Sequence, residues 1–516
     1  MSDSSNTLVT QDVLETTTLQ SARSPRNLLT TVARNSAFVL GVQAVLKVLA
    51  FLFNVYVVRR LGAVHFGQYS AVVAYVAMFA IFTDWGMSPY AVREMARDHG
   101  KTAWLLPNIV AIRIVLSLIV TVIAPLLALC LGKSPDMVLG ILIASAGLTL
   151  YAFQGPLDSA LVARERLDYT SSFALANQLV FWALGVLLLL RGLGFIGLVI
   201  ASLAGVAVAA LLSARALARM GIGRMVVSAR RWSELIRAAL PFGISDISYV
   251  FMQRFDTILM SFVLTDAAVG WYNVPWMLIS MVLLIAQGIT TAMYPSLVRS
   301  YAEQPESLPE VVWRSIKYLI IICLPIAVGG TLLADRIIIA LYTEAFTNSI
   351  PVLQVMLWAL PSLFLLELLG NVANTLNLER PAARINVINA AITVILNLIL
   401  VPTLGILGAT LALVSGRALR LVQYWWLIGR GHLGGERRGS LIRVALAAAC
   451  MGVVVFISRQ VSAFGMASSK MGLLALIAIG AGCYFIALLV SGGIERRELA
   501  FVRSMIREQM TRGQDG

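Results

Sequence analysis

The sequence predicts an all-α polytopic membrane protein with about 14 transmembrane helices, and three observations lead to this fold class. Hydrophobic residues make up 59% of the 516 residues, and the mean hydropathy is +0.85. Charged residues make up only 13%, against roughly 25% in soluble domains, so a soluble surface is excluded. The third observation is a series of apolar runs, each about as long as the roughly 20 residues that a helix needs to cross a bilayer.

These apolar runs define the predicted spans and their orientation. They lie near residues 36–58, 67–87, 104–131, 136–157, 171–190, 194–214, 239–263, 270–294, 312–333, 352–376, 384–401, 405–428, 441–458 and 471–491. With the N-terminus in the cytoplasm, the cytoplasmic segments together with the adjoining ends of the runs hold 28 Lys and Arg, and the segments on the opposite side hold 7. This bias follows the positive-inside rule, so both termini are predicted to be cytoplasmic. The same rule accounts for the net charge of +14, and no nucleic-acid partner is predicted.

An internal repeat divides the spans into two bundles. Leu61–Tyr69 and Leu264–Tyr272 share the pattern L-x5-G-x-Y at an offset of 203 residues, and the spans that follow both end in M-x-P-x-x-V-R. We therefore expect two six-helix bundles of parallel topology with the substrate path between them. The expected parts are a disordered cytoplasmic tail (1–33), a first bundle (34–219), a basic linker (220–238), a second bundle (239–430), two added helices (431–492) and a basic cytoplasmic tail (493–516). A short interfacial helix is predicted on the external side at 335–350.

The seventh span, within Pro241–Tyr272, carries ionisable residues where a membrane helix should be apolar. Asp246, Gln253, Arg254 and Asp256 all lie inside it. Each charge at bilayer depth costs roughly 2.5–3.5 kcal/mol on insertion scales, which is tolerated where the group faces water, a partner or a substrate. The seventh span is therefore predicted to line a polar path through the protein.

Other spans add polar residues that are predicted to face the same path. Spacings of three, four or seven residues place the members of each set that has several residues on one helical face. The sets are Gln43, Lys47 and Asn54 in the first span, Arg113 in the third, Glu367, Asn371 and Asn374 in the tenth, and Arg417 and Arg420 in the twelfth.

The predicted buried cations outnumber the buried carboxylates, which favours an anionic ligand such as a phosphate or pyrophosphate. The substrate-binding cations are Lys47, Arg113, Arg254, Arg417 and Arg420, and the polar cavity residues are Gln43, Asn54, Gln253, Asn371 and Asn374. The alternative is that each cation pairs with a carboxylate and only holds helices together. Asp246 and Glu367 are the candidates for ion coupling, since a buried carboxylate has a raised pKa; a fixed salt bridge is equally compatible with the sequence.

Enzymatic chemistry is not predicted. The G-x-G-x-x-G pattern at 192–197 joins two membrane spans without a βαβ unit, so it does not indicate a nucleotide site. The three histidines lie in loops without metal-ligand spacing. Neither a metal nor another cofactor is expected.

Three segments resemble Wzx-type polysaccharide flippases of the multidrug/oligosaccharidyl-lipid/polysaccharide (MOP) exporter superfamily. They are L-G-x4-G-x-Y at Leu61–Tyr69, P-x-G-I-S…R-x-D-x-I-L-x-S with V-G-x-Y over Pro241–Tyr272, and R-I-I-x-x-L-Y-x-x-x-F at 336–346. The resemblance implies transport of an undecaprenyl-pyrophosphate-linked oligosaccharide between the leaflets of a bacterial inner membrane. It also implies alternating access coupled to protons, sodium or the membrane potential. The implied partners are the lipid-linked oligosaccharide, membrane lipids, and a polysaccharide polymerase with its co-polymerase.

Three other functions are alternatives to transport of a polysaccharide precursor. Lipid II flippases share the fourteen-span architecture but typically have an Arg-Asp pair in the first span, where this chain has Gln43 and Lys47. Multidrug exporters of the superfamily usually have twelve spans and an acidic cavity, which the excess of cations disfavours. A non-transporting scaffold of a polysaccharide assembly complex is the alternative from a different class.

Overall fold

A computed structural model describes the backbone of residues 25–220, 226–429, 438–460 and 470–493. The side-chain description excludes residues 25–45, 244–253, 438 and 470. Fourteen α-helices run through the described residues, joined by short 3₁₀ turns and loops. They are α1 Pro25–Asp84, α2 Met87–Arg97, α3 Thr102–Cys130, α4 Pro135–Ala163, α5 Leu167–Leu190, α6 Gly194–Arg219, α7 Trp232–Val263, α8 Asp266–Glu303, α9 Leu308–Tyr342, α10 Ser349–Leu357, α11 Leu360–Thr375, α12 Glu379–Ile428, α13 Arg438–Gln460 and α14 Lys470–Val490.

The helices confirm the predicted fold class of a multi-pass, all-α membrane protein. Ten of them are long and apolar enough to cross a membrane, and the bent pair α10–α11 adds an eleventh span. Two of the ten, α1 and α12, each contain two predicted spans, because Gly62 and Gly405 break the helix with positive φ angles of 69° and 60°. With α7 as the seventh span, every predicted span has a helical counterpart among the described residues.

The predicted interfacial helix at 335–350 is wrong. Helix α9 continues without a break to Tyr342, Thr343 turns the chain with a φ of 84°, and a 3₁₀ turn at Glu344–Phe346 leads into α10. The apolar run Ile337–Ile339 is compatible with a separate interfacial helix or with the end of a longer helix. The unbroken helix α9 shows that the second arrangement is correct. Trp271 holds the turn by donating a hydrogen bond from its indole to the Ala345 carbonyl at 2.9 Å.

The chain divides into two compact units, of which the first ends at Tyr56 and the second begins at Val57. The described part of the first unit is the beginning of α1. In the second unit, α3, α4, α5 and α6 pack side by side, and α7 packs against α12. The ends of the helices α2, α3, α4, α6 and α7 share one apolar core.

Helix α2 shows how that core forms from the sequence. Its apolar residues Met87, Ala91 and Met95 recur every four positions, so they share one face. This face is buried in the core, whereas Arg93 and Arg97 lie on the opposite, more exposed face.

Helices α13 and α14 form a hairpin that packs on α9 through a second core. Arg459 fixes this arrangement by binding the Asp335 carboxylate at 2.7 Å and the Leu332 carbonyl at 2.8 Å. Tyr484 donates a hydrogen bond to the Ile321 carbonyl at 2.8 Å. Many of the apolar side chains on the outer faces of these helices are exposed, as expected for a surface in contact with lipid.

Candidate functional site

The charged segment of α7 lies between the two repeated tyrosines. Arg254 and Asp256 are two residues apart, so they project to nearly opposite sides of the helix. Tyr69 interacts electrostatically with Arg254. Its counterpart in the repeat, Tyr272, donates a hydrogen bond from its hydroxyl to Asp256. The two equivalent tyrosines therefore interact with charges of opposite sign on one helix, Tyr69 through electrostatics and Tyr272 through a hydrogen bond.

Asp256 lines a polar cleft between α7 and α12. Its carboxylate also accepts a hydrogen bond from the Thr257 backbone N–H at 2.7 Å, and it interacts electrostatically with Arg417 and Arg254. The empty space of the cleft is about 350 Å³, part of which opens to the outside. Its lining residues are Asp256, Asn389, Thr393, Asn397, Leu413, Gly416, Arg417 and Arg420.

The bend in α12 at Gly405 builds most of this cleft, because it folds the two halves of the helix against each other. The first half contributes Asn389 and Asn397, which are 2% and 1% exposed. In both residues the Oδ1 atom is buried and has no hydrogen-bond partner among the described residues. Two residues of the cleft wall therefore keep buried hydrogen-bond acceptors without a described partner.

The second half of α12 contributes the cations. Arg420 lies over the ring of Tyr424, with 5.5 Å between the guanidinium carbon and the ring centroid. Tyr424 in turn donates a hydrogen bond to Asn386 at 3.2 Å. Arg417 interacts electrostatically with both Asp256 and Tyr272. Two guanidinium groups thus line one wall of a cleft whose opposite wall carries a carboxylate.

Arg113, the predicted cation of the third span, lies in a different environment. It is 6% exposed, and its Nη1 atom is 2.8 Å from the Asp84 carboxylate and 2.8 Å from the Ser88 hydroxyl. Asp84 is the last residue of α1 and Ser88 lies in the first turn of α2, so Arg113 bridges the break between these two helices. In this structure Arg113 is an ion-pair partner, and its predicted contact with substrate stays a prediction.

The remaining predicted site residues are distributed over other segments. Lys47 is exposed, and Asn54 donates a hydrogen bond from its amide to the Ala50 carbonyl at 2.8 Å; both belong to the first unit. Glu367 and Asn371 are partly buried on α11, and Asn374 is exposed there. The side chains of Gln43, Asp246 and Gln253 lie outside the described residues. Among the described residues, the cleft thus brings together Asp256, Arg417 and Arg420 with Arg254 nearby.

Sequence reasoning missed the polar stripe on the eleventh span. Asn389, Thr393 and Asn397 follow one another at intervals of four residues, which places them on one helical face. This spacing is readable in the sequence and is the same signal that singled out Glu367 and Asn371. The tyrosines at positions 69 and 272 were visible as parts of the repeat, but not as contacts of the charged segment.

The geometry defines a helical membrane protein with a polar, arginine-lined cleft beside the charged helix α7. Residues 32–301 match the family model described as polysaccharide biosynthesis protein, which is more than half of the chain, and residues 241–399 match the MatE model. The chain belongs to the polysaccharide biosynthesis protein family.

Two relatives agree with this assignment, and two solved structures share the fold. A protein of Haloferax volcanii named "Probable low-salt glycan biosynthesis flippase Agl15" is 23% identical over 381 residues, covering 72% of this chain and 78% of that protein. A second protein of that organism, named "Probable flippase AglR", is 27% identical over 170 residues, covering 32% of this chain and 35% of that protein. The lipid II flippase MurJ in its inward closed conformation has the same fold, with a TM-score of 0.68 at 14% identity over 90% of this chain and 99% of that one. An inward-facing multidrug resistance transporter of the MATE family has a TM-score of 0.54 at 16% identity over 73% of this chain and 96% of that one.

Proposed function

We propose that the chain is a flippase that moves an undecaprenyl-pyrophosphate-linked oligosaccharide from the cytoplasmic to the periplasmic leaflet of a bacterial inner membrane. The product would serve the synthesis of a cell-surface polysaccharide such as lipopolysaccharide O-antigen or exopolysaccharide. Membership of the polysaccharide biosynthesis family and the flippase names of both Haloferax relatives support this class of function. The single observation that carries it is the gathering of Arg417 and Arg420 in one polar cleft of a membrane protein, with Arg254 nearby.

The chemistry of the cleft suits one end of such a substrate. A sugar pyrophosphate does not cross hydrocarbon unaided, because its charges and hydroxyls lose their hydrogen-bond partners there. Guanidinium groups bind phosphate oxygens in a bidentate geometry that replaces the lost hydration. The two arginines that line the cleft therefore suit the pyrophosphate part of the substrate.

The proposed mechanism is alternating access of the two bundles around the charged segment of α7, driven by protons, sodium or the membrane potential and without an enzymatic step or cofactor. Asp256 is the carboxylate that the structure adds to the coupling candidates Asp246 and Glu367. It interacts with both Arg254 and Arg417, so an anion bound to these arginines would compete with it. A polysaccharide polymerase and its co-polymerase are the proposed partners that use the product.

Reconstitution tests the proposal directly. Purified protein in vesicles receives a fluorescent lipid-linked oligosaccharide, and a membrane-impermeant quencher measures how much reaches the opposite leaflet. We expect wild-type protein to move the oligosaccharide and the Arg417→Ala/Arg420→Ala double variant to lose this activity at normal protein level. Arg166→Ala is the matched control, because Arg166 is an exposed arginine paired with Asp168 outside the cleft.

Two results would overturn the proposal. Wild-type protein that moves no lipid-linked oligosaccharide, but moves lipid II, would assign a different substrate. Full transport by the double variant, together with full polymer export in cells, would show that these arginines are not needed for transport.

A further inference from the structure

The repeated glycines of the two bundles contact each other at the predicted external end. A Cβ atom added to Gly67 would lie 1.7 Å from the Asp266 carbonyl oxygen and 3.0 Å from the Gly270 nitrogen. One added to Gly270 would lie 2.3 Å from the Ala63 carbonyl oxygen. The two L-x5-G-x-Y segments therefore meet backbone to backbone, and no side chain fits between them. This contact explains why the repeat needs glycine at both positions.

Polar groups of both bundles surround this contact. Gln68 donates a hydrogen bond from its amide to the Asp266 carboxylate at 3.0 Å, and the ring of His65 lies 3.1 Å from the Gln68 amide oxygen. Lys133, in the loop between α3 and α4, donates to the Ser261 carbonyl and lies 4.3 Å from the centroid of the Phe262 ring. Burial lowers the pKa of Lys133, and the nearby Asp266 opposes this shift.

A second glycine pair lies at the predicted cytoplasmic end. A Cβ atom added to Gly86 would lie 2.2 Å from the Gly243 nitrogen, and one added to Gly243 would lie 2.9 Å from the Trp85 carbonyl. Gly86 sits at the break between α1 and α2, where Trp85 and Gly86 have positive φ angles of 47° and 75°. Gly243 belongs to α7, so this contact also joins the first bundle to the second.

Side chains around the second pair hold it in position. Arg93 lies over the Phe242 ring at 5.1 Å from its centroid. Asn108 accepts hydrogen bonds from the Ser228 backbone at 2.8 Å and from the Trp232 indole at 3.2 Å. The ion pair of Arg113 with Asp84 fixes the break itself.

We propose that these two glycine pairs are latches between the bundles, an external latch at Gly67–Gly270 and a cytoplasmic latch at Gly86–Gly243, which separate in turn. The inference rests on the proposed transport cycle, because only a protein that opens alternately to the two sides needs a separable contact at each end. Small residues allow close approach of helices in membranes. A backbone contact without interlocking side chains separates and closes again without repacking of rotamers.

Accessibility of one buried serine tests the external latch without any substrate. Ser261 is 5% exposed and lies next to Lys133. The Ser261→Cys variant is made in a chain whose Cys130, Cys323, Cys450 and Cys483 are replaced by serine, and a membrane-impermeant maleimide is added outside intact cells. We expect Gly67→Ala and Gly270→Ala to raise the labelling several-fold and to abolish transport, because the added methyl group keeps the external latch open.

Matched variants separate this effect from a general loss of helix packing. Gly288→Ala and Gly370→Ala also add one methyl group inside helices, and nothing lies within 4 Å of the added atom, so we expect parental labelling and transport. Gly243→Ala should keep the cytoplasmic latch open in the same way. We expect this variant to abolish transport without raising the labelling from outside. Gln68→Ala removes only the polar contact to Asp266 and adds no atoms. It should raise the labelling of Ser261→Cys even if the glycine variants fail to fold.

A reversible cross-link completes the test. The side chains of Gln68 and Asp266 are in contact, so a short thiol-specific reagent should join Gln68→Cys to Asp266→Cys, stop transport, and release it on reduction. Labelling of Gly67→Ala, Gly270→Ala and Gln68→Ala that equals that of Gly288→Ala would overturn the external latch. Increased labelling in these variants, combined with a wild-type protein that itself moves no lipid-linked oligosaccharide, would support the latch and refute the proposed substrate, so the two failures are distinguishable.

Discussion

The buried ion pair of Arg113 and Asp84 gives a quantitative test of what Arg113 does. The substitution Asp84→Ala leaves a guanidinium whose side chain is 7% exposed without its charged partner. At the 2.8 Å separation of Nη1 and Oδ1, an effective dielectric constant of ~20 gives an attraction of about 6 kcal/mol. Removing one member of a buried pair typically costs about 3–5 kcal/mol, because the remaining charge stays desolvated. Asp84 is 22% exposed, so we expect a loss near the lower limit, about 3 kcal/mol.

Thermal unfolding of the purified protein measures this loss. We expect Asp84→Ala to lower the unfolding midpoint, followed by tryptophan fluorescence or by the amount of monodisperse protein after heating. The double variant Asp84→Leu/Arg113→Met should recover much of the stability, because it removes both charges. Asp168→Ala is the matched control, since Arg166 binds Asp168 with two hydrogen bonds of 3.1 and 3.2 Å at an exposed position. We expect no measurable shift there.

Two outcomes would refute the structural role of Arg113. One is an unchanged unfolding midpoint of Asp84→Ala. The other is an Arg113→Met variant that keeps its stability and loses transport, because this is the result expected of a residue that contacts substrate only.

Three further predictions concern the cleft and the C-terminal hairpin. Arg417→Lys should bind a pyrophosphate-containing substrate more weakly than wild type, because lysine keeps the positive charge and loses the two parallel N–H donors of the guanidinium. Transport rates measured over a range of substrate concentrations check this, and unchanged kinetics would exclude a bidentate contact. Tyr272→Phe removes the hydroxyl that Asp256 accepts from and should lower stability by about 1–3 kcal/mol, measured as a lower unfolding midpoint; a midpoint equal to wild type would mean that the bond contributes nothing. Arg459→Ala removes the contacts to Asp335 and Leu332 and should lower the free energy of unfolding by about 1 kcal/mol, because the ion pair is partly exposed. Equal proteolysis rates of the α13–α14 hairpin in variant and wild type would contradict this prediction.

The sequence predicted the number and order of the spans well, because the bilayer sets a minimum apolar length that each span must meet. It predicted the ends of the helices less well. Helix α8 covers Asp266–Glu303, whereas the apolar run covers 270–294. The length of an apolar run reflects the thickness of the membrane's hydrocarbon core. The helix itself continues into the polar flanking residues until its backbone hydrogen bonding ends. The same reason explains why α9 continues through the segment predicted as a separate interfacial helix.

The candidate site was predictable only where the signal is local. The charges of α7 and the pair Arg417 and Arg420 stand out against apolar neighbours, whatever the fold. The partner of Arg113 does not, because it depends on the break at Trp85–Gly86 that turns Asp84 and Ser88 towards α3. Likewise, Asp256 meets Arg417 only because α12 packs along α7. Contacts between distant segments need the fold, and the sequence of one chain does not contain them in readable form.

The asymmetry of the repeat has a mechanistic consequence under the proposed function. Tyr69 and Tyr272 are equivalent positions, yet the first interacts with a cation of α7 and the second binds a carboxylate of the same helix. Because Arg254 and Asp256 project to opposite sides, α7 presents a positive group towards the first bundle and a negative group towards α8 and α12. An anion that binds Arg417 competes with Asp256 for this arginine and so changes the contact between α7 and α12. The same helix carries Gly243 of the cytoplasmic latch and ends seven residues before Gly270 of the external latch. Substrate binding in the cleft and closure of the two latches therefore act on one helix.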